Sequence, residues 1–179
     1  MVLIDTVPIP VLLNQQQVLD RQTDERCALA RVVKDAIMFV AEVKEEIEGS
    51  EQMGVLVTVG DADRVLDRSF PIEADPLKDH PLAMRLLSRE VFRRTLKRLV
   101  HYRGALVVDD QGRVVASNRY LYPPDVQLDL HSDDARREVA ARSITKISKC
   151  HAVVLLKNGD IQVYRRGRLV EELLLVVSV

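Results

Sequence analysis

The sequence predicts an α/β fold, a single-domain mixed β-sheet flanked by helices. Three observations carry this prediction. Short β-branched runs recur next to glycine, as in Gly54-Val55-Leu56-Val57-Thr58-Val59-Gly60. Two such runs fold back across turn signals, at Asp109-Asp110-Gln111-Gly112 and at Asn158-Gly159. Between the runs, apolar residues return at three- and four-residue spacing, the period of a helix packed on one side. With 179 residues, 47% of them hydrophobic, one domain with a sizeable core is expected.

The elements follow in order. Residues 1–23 alternate prolines with apolar groups at Val7-Pro8-Ile9-Pro10-Val11, which suits an extended covering segment, and a domain is expected over 24–179. From Asp24, a stripe of Ala28, Leu29, Val32, Val33, Ala36, Ile37, Val40, Val43 and Ile47 predicts a long helix ended by Gly49-Ser50. Its glutamates, Glu42, Glu45, Glu46 and Glu48, read as a solvated side. Gly54–Val59 reads as a buried strand, followed by a short helical pattern through Val65 and Leu66. Pro71 to Pro81 reads as an irregular connection.

A helix is then expected from Ser88, with Leu87, Val91, Phe92, Leu96, Leu99 and Val100 inward. Arg85, Arg89, Arg93 and Lys97 recur every four residues and share one face, read as a solvated stripe with contact to a phosphate or an acidic partner as the alternative. The hairpin 104–117 and a proline-bearing loop lead into a helix from about Asp134 to Ser148, capped by Ser132 or Asp133. Its sheet-facing positions are expected at Ala135, Val139, Ala140, Ile144 and Ile147. A second hairpin covers Ala152–Tyr164, and Leu173–Val179 reads as a final strand.

Composition narrows the function. A formal net charge of −1 gives no general attraction to nucleic acid or an anionic membrane, and aromatics at 4% with no Trp leave little to stack on bases. Cys27 and Cys150 stand outside any CxxC pattern, and His80, His101, His131 and His151 lack metal-ligand spacing. No apolar run approaches the roughly 20 residues that span a bilayer. The expectation is a cytoplasmic protein with reduced thiols, no nucleic-acid partner and no membrane partner. Neither a nucleophile grouping nor a Gly-rich phosphate loop is present.

The stretch from Tyr102 to Thr145 has the context of a phosphate site: a buried hairpin, a polar loop and an arginine-bearing helix start. Gly-Val-Leu-Val-Thr-Val-Gly-Asp, an Asp-Pro loop, Arg103-Gly104-Ala105-Leu106-Val107-Val108, Arg119-Tyr120-Leu121-Tyr122-Pro123 and the Ala135–Ala141 helix start occur in one order. In that order, the chain resembles the diadenylate cyclase (DAC) domain over about Asp24 to Val170. The resemblance implies a scaffold that condenses two ATP molecules into cyclic di-AMP between two facing domains. It also implies a metal-holding aspartate in a DGA motif and phosphate contacts from an RHR motif.

Against that pattern, Arg103 stands at the position of the DGA aspartate, followed by matching Gly104 and Ala105. The RHR triplet falls on Arg137-Glu138-Val139, or, one residue earlier, on Arg136-Arg137-Glu138. Leu121 matches a position near the base. Arginine ligates no divalent cation; Arg103 either brings its own charge to a phosphate or faces solvent or Glu138.

The resemblance therefore implies a catalytically degenerate domain with no catalytic or metal residue assigned. Its ligand would be an adenine nucleotide, ATP or cyclic di-AMP, held by Arg103, Gly104, Ala105, Leu121, Arg136 and Arg137, and it would self-associate. The alternative is an active cyclase using Mg or Mn on a shifted ligand, Asp109, Asp110 or Glu138. A third reading is a structural subunit whose basic helix faces a partner.

Overall fold

Val55 to Val59 form β1, and all five side chains are buried. β-branched residues on both faces suit a strand covered on two sides, and β1 lies in mid-sheet. The computed structural model describes residues 24–47, 54–99, 104–121 and 132–173. The expected extended segment 1–23 and all but the first residue of the expected strand 173–179 lie outside the described residues.

Helix α1 spans Asp24–Ile47, β1 Val55–Val59, α2 Ala62–Asp67, β2 Ser69–Pro71, α3 Glu90–Leu99, β3 Ala105–Val108 and β4 Val114–Leu121. Helix α4 spans Asp133–Ile147, followed by β5 His151–Leu155, β6 Ile161–Arg165 and β7 Arg168–Leu173. Seven strands among the described residues form one mixed sheet in the order β2-β4-β3-β1-β5-β6-β7. β1 and β3 run parallel, and every other neighbouring pair is antiparallel.

Two layers of helix cover the sheet. On one face, Val32, Ala36, Phe39, Val40 and Val43 of α1 and Phe92 and Leu96 of α3 pack on Val55, Val57, Val59, Leu106 and Val108. On the other, Val65 of α2 and Ala141 and Ile144 of α4 pack on Leu56, Ala105, Val107, Val154 and Tyr164. At about 25 cal/mol per Å² of apolar area, two dry faces of this kind are the main source of stability. No helix among the described residues is long and apolar enough to cross a membrane.

Several expectations change. The stripe Arg85, Arg89, Arg93 and Lys97 is not a solvated face, because Arg85 and Arg93 are buried. Arg93 Nε donates to Glu42 Oε1 at 2.9 Å and its Nη1 to the Leu87 carbonyl at 2.8 Å. Lys97 Nζ lies 2.6 Å from Glu46 Oε1 and 3.5 Å from Glu42 Oε2. The acidic partner of the basic helix is therefore α1 of the same chain, and Glu42 and Glu46 pair across the helix interface rather than with water alone. Arg85 donates to the His80 and Lys78 carbonyls and ties down the preceding connection.

Other corrections are local. Val91 is 77% exposed, so the inner side of α3 is carried by Phe92 and Leu96. In α4 the buried stripe centres on Ala141 and Ile144, with Ala140 and Ile147 beside it. The connection after α2 opens with strand β2, which pairs with the end of β4 through Ser69↔Leu121 and closes at Pro71. Arg166 and Gly167, with φ of 52° and 75°, form a two-residue hairpin turn that makes Arg168 the start of β7.

Candidate functional site

Strand polarity gathers one set of residues at one end of the sheet. The starts of β1 and β3, the ends of β4 and β5 and the start of β2 all lie there, through Leu56↔Ala105, Val55↔Leu155 and Ser69↔Leu121. Gly54, Gly104, Ala105 and Leu121 thus share a sheet end. Arg103 lies outside the described residues.

Gly104 is required by close approach. A Cβ there would stand 2.7 Å from the backbone N of Arg119 and the carbonyl carbon of Asn118. β4 presses in because it carries an extra residue between its pairings with Ala105 and Val107, with Asn118 at φ 52°. Ala105 and Leu121 are buried beside Val65 in the α2/α4 layer. Arg119 secures the same edge by donating to the Ser69 hydroxyl and to the Ser69 and Leu66 carbonyls.

The start of α4 reaches this end as well. Ser132 caps the helix, its hydroxyl accepting from the Ala135 amide at 3.1 Å, and Asp133 and Asp134 occupy the first turn, where a helix favours anions. Arg137 heads the stripe continued by Ala141 and Ile144. Its guanidinium lies over Gly54, where a Cβ would be 2.8 Å from Nε and closer still to Cζ and Nη1. Gly54 has φ 144°, a conformation that L side chains rarely adopt. Arg137 Nη1 is 3.5 Å from Asp134 Oδ1, and Asp134 Oδ2 accepts from the Lys157 amide at 3.0 Å. Asp134 thus ties the arginine to the β5–β6 hairpin.

Arg136 is placed differently. Its side chain is 64% exposed and pairs with Asp133 at 3.5 Å, whereas that of Arg137 is 20% exposed. The geometry joins Arg137, but not Arg136, to the glycine end of the sheet. Glu138 acts on β6: its charge, after burial, helps raise the Tyr164 phenol above its ordinary value, while Arg142, 5.0 Å from the ring centroid, opposes the shift. Tyr164 donates to Gln162, whose amide donates to Glu172.

Asp109 and Asp110, the alternative metal ligands, lie away from the glycine end. They follow Val108 at the far end of β3, roughly 13 Å from its start at the rise of a four-residue strand. Asp109 is moreover engaged by Arg113 Nε at 2.7 Å and by the Gln111 and Arg113 amides. Among the described residues, no three His, Cys, Asp or Glu side chains form a group that could hold a metal ion. Of the carboxylates at the glycine end, Asp133 and Asp134 each face an arginine, and Asp160 accepts from the Asn158 amide.

Sequence reasoning missed Gly54, Asp134 and the Lys157 amide as parts of this end. The available signals were a glycine placed immediately before a buried strand and an Asp three residues before an Arg on a helix.

Comparison with known proteins gives this geometry a family context. No protein-family model matches the chain. The chain is 27% identical over 144 residues to a diadenylate cyclase of Haloferax volcanii, covering 79% of this chain and 52% of that protein. It is 28% identical over 145 residues to a diadenylate cyclase of Methanocaldococcus jannaschii, covering 79% of this chain and 45% of that one. The chain therefore spans about half the length of these relatives. Among solved structures, a double-mutant DacA from Staphylococcus aureus superposes with a TM-score of 0.51 at 15% identity, over 81% of this chain and 87% of that chain. A hypothetical membrane-spanning protein from Bacillus cereus gives 0.52 at 14% identity, over 78% and 64%. These two likenesses concern the fold.

Proposed function

We propose, from the premise that this chain belongs to the diadenylate cyclase domain family, that it is a nucleotide-binding member that no longer condenses ATP. The observation that carries the proposal is the asymmetry of the site. The glycine end of the sheet keeps Gly54 under Arg137 and Gly104 against the β4 bulge, while the family's metal position is Arg103 and its remaining RHR positions are Glu138 and Val139.

In the reaction that the resemblance implies, a divalent ion spreads the charge on the attacked phosphate and activates the attacking hydroxyl. Arginine at the family's metal position ligates no cation, and among the described residues no three His, Cys, Asp or Glu side chains are grouped for that ion. What this chain's own groups can do is bind. Arg137 is a cation held at the edge of the sheet over Gly54, while Gly104, packed against β4, and the buried Ala105 and Leu121 shape that end. A cation in that place lowers the free energy of a bound phosphate without activating a nucleophile.

A thermal-shift titration tests the proposal. Cyclic di-AMP or another adenine nucleotide should raise Tm in a concentration-dependent way, and Arg137→Ala should weaken the rise. No shift at millimolar ligand would contradict binding. The same reading includes self-association in the facing manner of the family, and sedimentation with and without nucleotide checks it.

A further inference from the structure

The start of α4 already holds an anion of its own. Asp134 takes the Arg137 guanidinium on Oδ1 at 3.5 Å and the Lys157 amide on Oδ2 at 3.0 Å. Those two donors, with the positive end of the helix, are what a ligand phosphate would use at this place. Arg137 lies over Gly54 with its side chain 20% exposed, and Asp134, at 25%, belongs to the first helical turn. Asp133 adds a second carboxylate, shared between Arg136 and the Lys157 ammonium at 3.5 and 4.0 Å.

We infer that Asp134 is a specificity-determining residue: its carboxylate stands in for a ligand phosphate on Arg137, so that the site disfavours triphosphates and prefers adenine ligands carrying fewer phosphate charges. The inference rests on the nucleotide-binding reading and adds a ligand class to it. A polyphosphate entering this end meets a fixed negative charge before it meets a cation whose own charge is already matched. Adenosine, AMP or the two separated phosphodiesters of cyclic di-AMP meet much less of that repulsion. Because both groups are partly wet, the effect is moderate and falls with added salt.

The test is calorimetric titration at low ionic strength with adenosine, ATP and inorganic tripolyphosphate. Asp134→Asn keeps an acceptor for the Lys157 amide and removes the charge. It should bind ATP and tripolyphosphate about ten-fold more tightly than the unmodified chain, with adenosine affinity unchanged. The gain should vanish in Asp134→Asn/Arg137→Ala and shrink at high salt. Should Asp134→Asn fail to fold, Asp134→Ser carries the same expectation with a shorter acceptor.

Unchanged or weaker ATP binding in Asp134→Asn, with adenosine still bound, overturns the inference. So does a gain that survives loss of Arg137. If tripolyphosphate binding rises through Arg137 while no adenine compound binds, the role of Asp134 stands and the nucleotide reading falls. If nothing binds to either protein, both fall.

Discussion

Arg137 and Gly54 occupy one space: the guanidinium lies where any side chain at residue 54 would have to be. A helix residue and a strand-end residue more than eighty positions apart are thereby made interdependent. Gly54→Ala should lose about 2–3 kcal/mol, from the φ of 144° that alanine resists and from displacement of the guanidinium. Arg137→Ala in the same chain should recover part of that loss. Urea denaturation of the two single variants and the double variant checks it; strictly additive losses would contradict the shared space.

Gly104 makes a different demand, since its obstruction is backbone. The Asn118–Arg119 segment of β4 cannot rotate away as a side chain can, so Gly104→Ala should destabilise by about 2–3 kcal/mol. The denaturation midpoint measures this. A loss below about 0.5 kcal/mol, within the ordinary range for surface changes, would mean that the bulge yields easily.

Between α1 and α3, Arg93 is shared by Glu42 and the Leu87 carbonyl with its side chain only 11% exposed. Arg93→Ala leaves Glu42 facing Lys97 alone and the Leu87 carbonyl without its donor, which should cost about 2 kcal/mol. A double-mutant cycle with Glu42→Gln should give a coupling of about 1 kcal/mol. No coupling would reduce the pair to a surface contact.

His151 supplies a pH dependence. Burial, reinforced by Arg165, lowers its pKa from 6.5 to about 4, and its Nδ1 is buried with no hydrogen-bond partner among the described residues. The unfolded chain binds the proton more readily, so stability rises with pH across this window. The contribution is whole above about 6.5 and is lost as the pH falls towards 4. His151→Leu should show a shallower decline than the parent between those values, by about 2 kcal/mol in total. Unfolding measured at several pH values decides; parallel declines would contradict the assignment.

Much of this architecture was legible in the sequence because its signals are local. The stripe from Leu29 to Val43, the run Val55–Val59 and the turns at Gly112 and Gly159 each specify an element within one window. The missed parts are of two kinds. Arg166-Gly167 turns a hairpin with an arginine at positive φ, where sequence rules look for Asn or Asp. The larger class depends on contacts distant in sequence: Arg93 with Glu42, Arg137 with Gly54, Asp134 with Lys157. An arginine that pairs across the fold and one that faces water have the same local pattern, so spacing alone favoured the solvated face. Of the candidate site, Gly104 and Ala105 were named through the resemblance, whereas Asp134 is visible only once α4 is set against the β5–β6 turn.

The most direct measurement for the central claim is product analysis. The chain is incubated with millimolar ATP and Mn²⁺ or Mg²⁺, and cyclic di-AMP is quantified by mass spectrometry against a no-protein control. A domain with arginine at the metal position and Asp133 and Asp134 held by arginines should form no cyclic di-AMP above that control. Sustained product that grows with protein concentration would contradict the account.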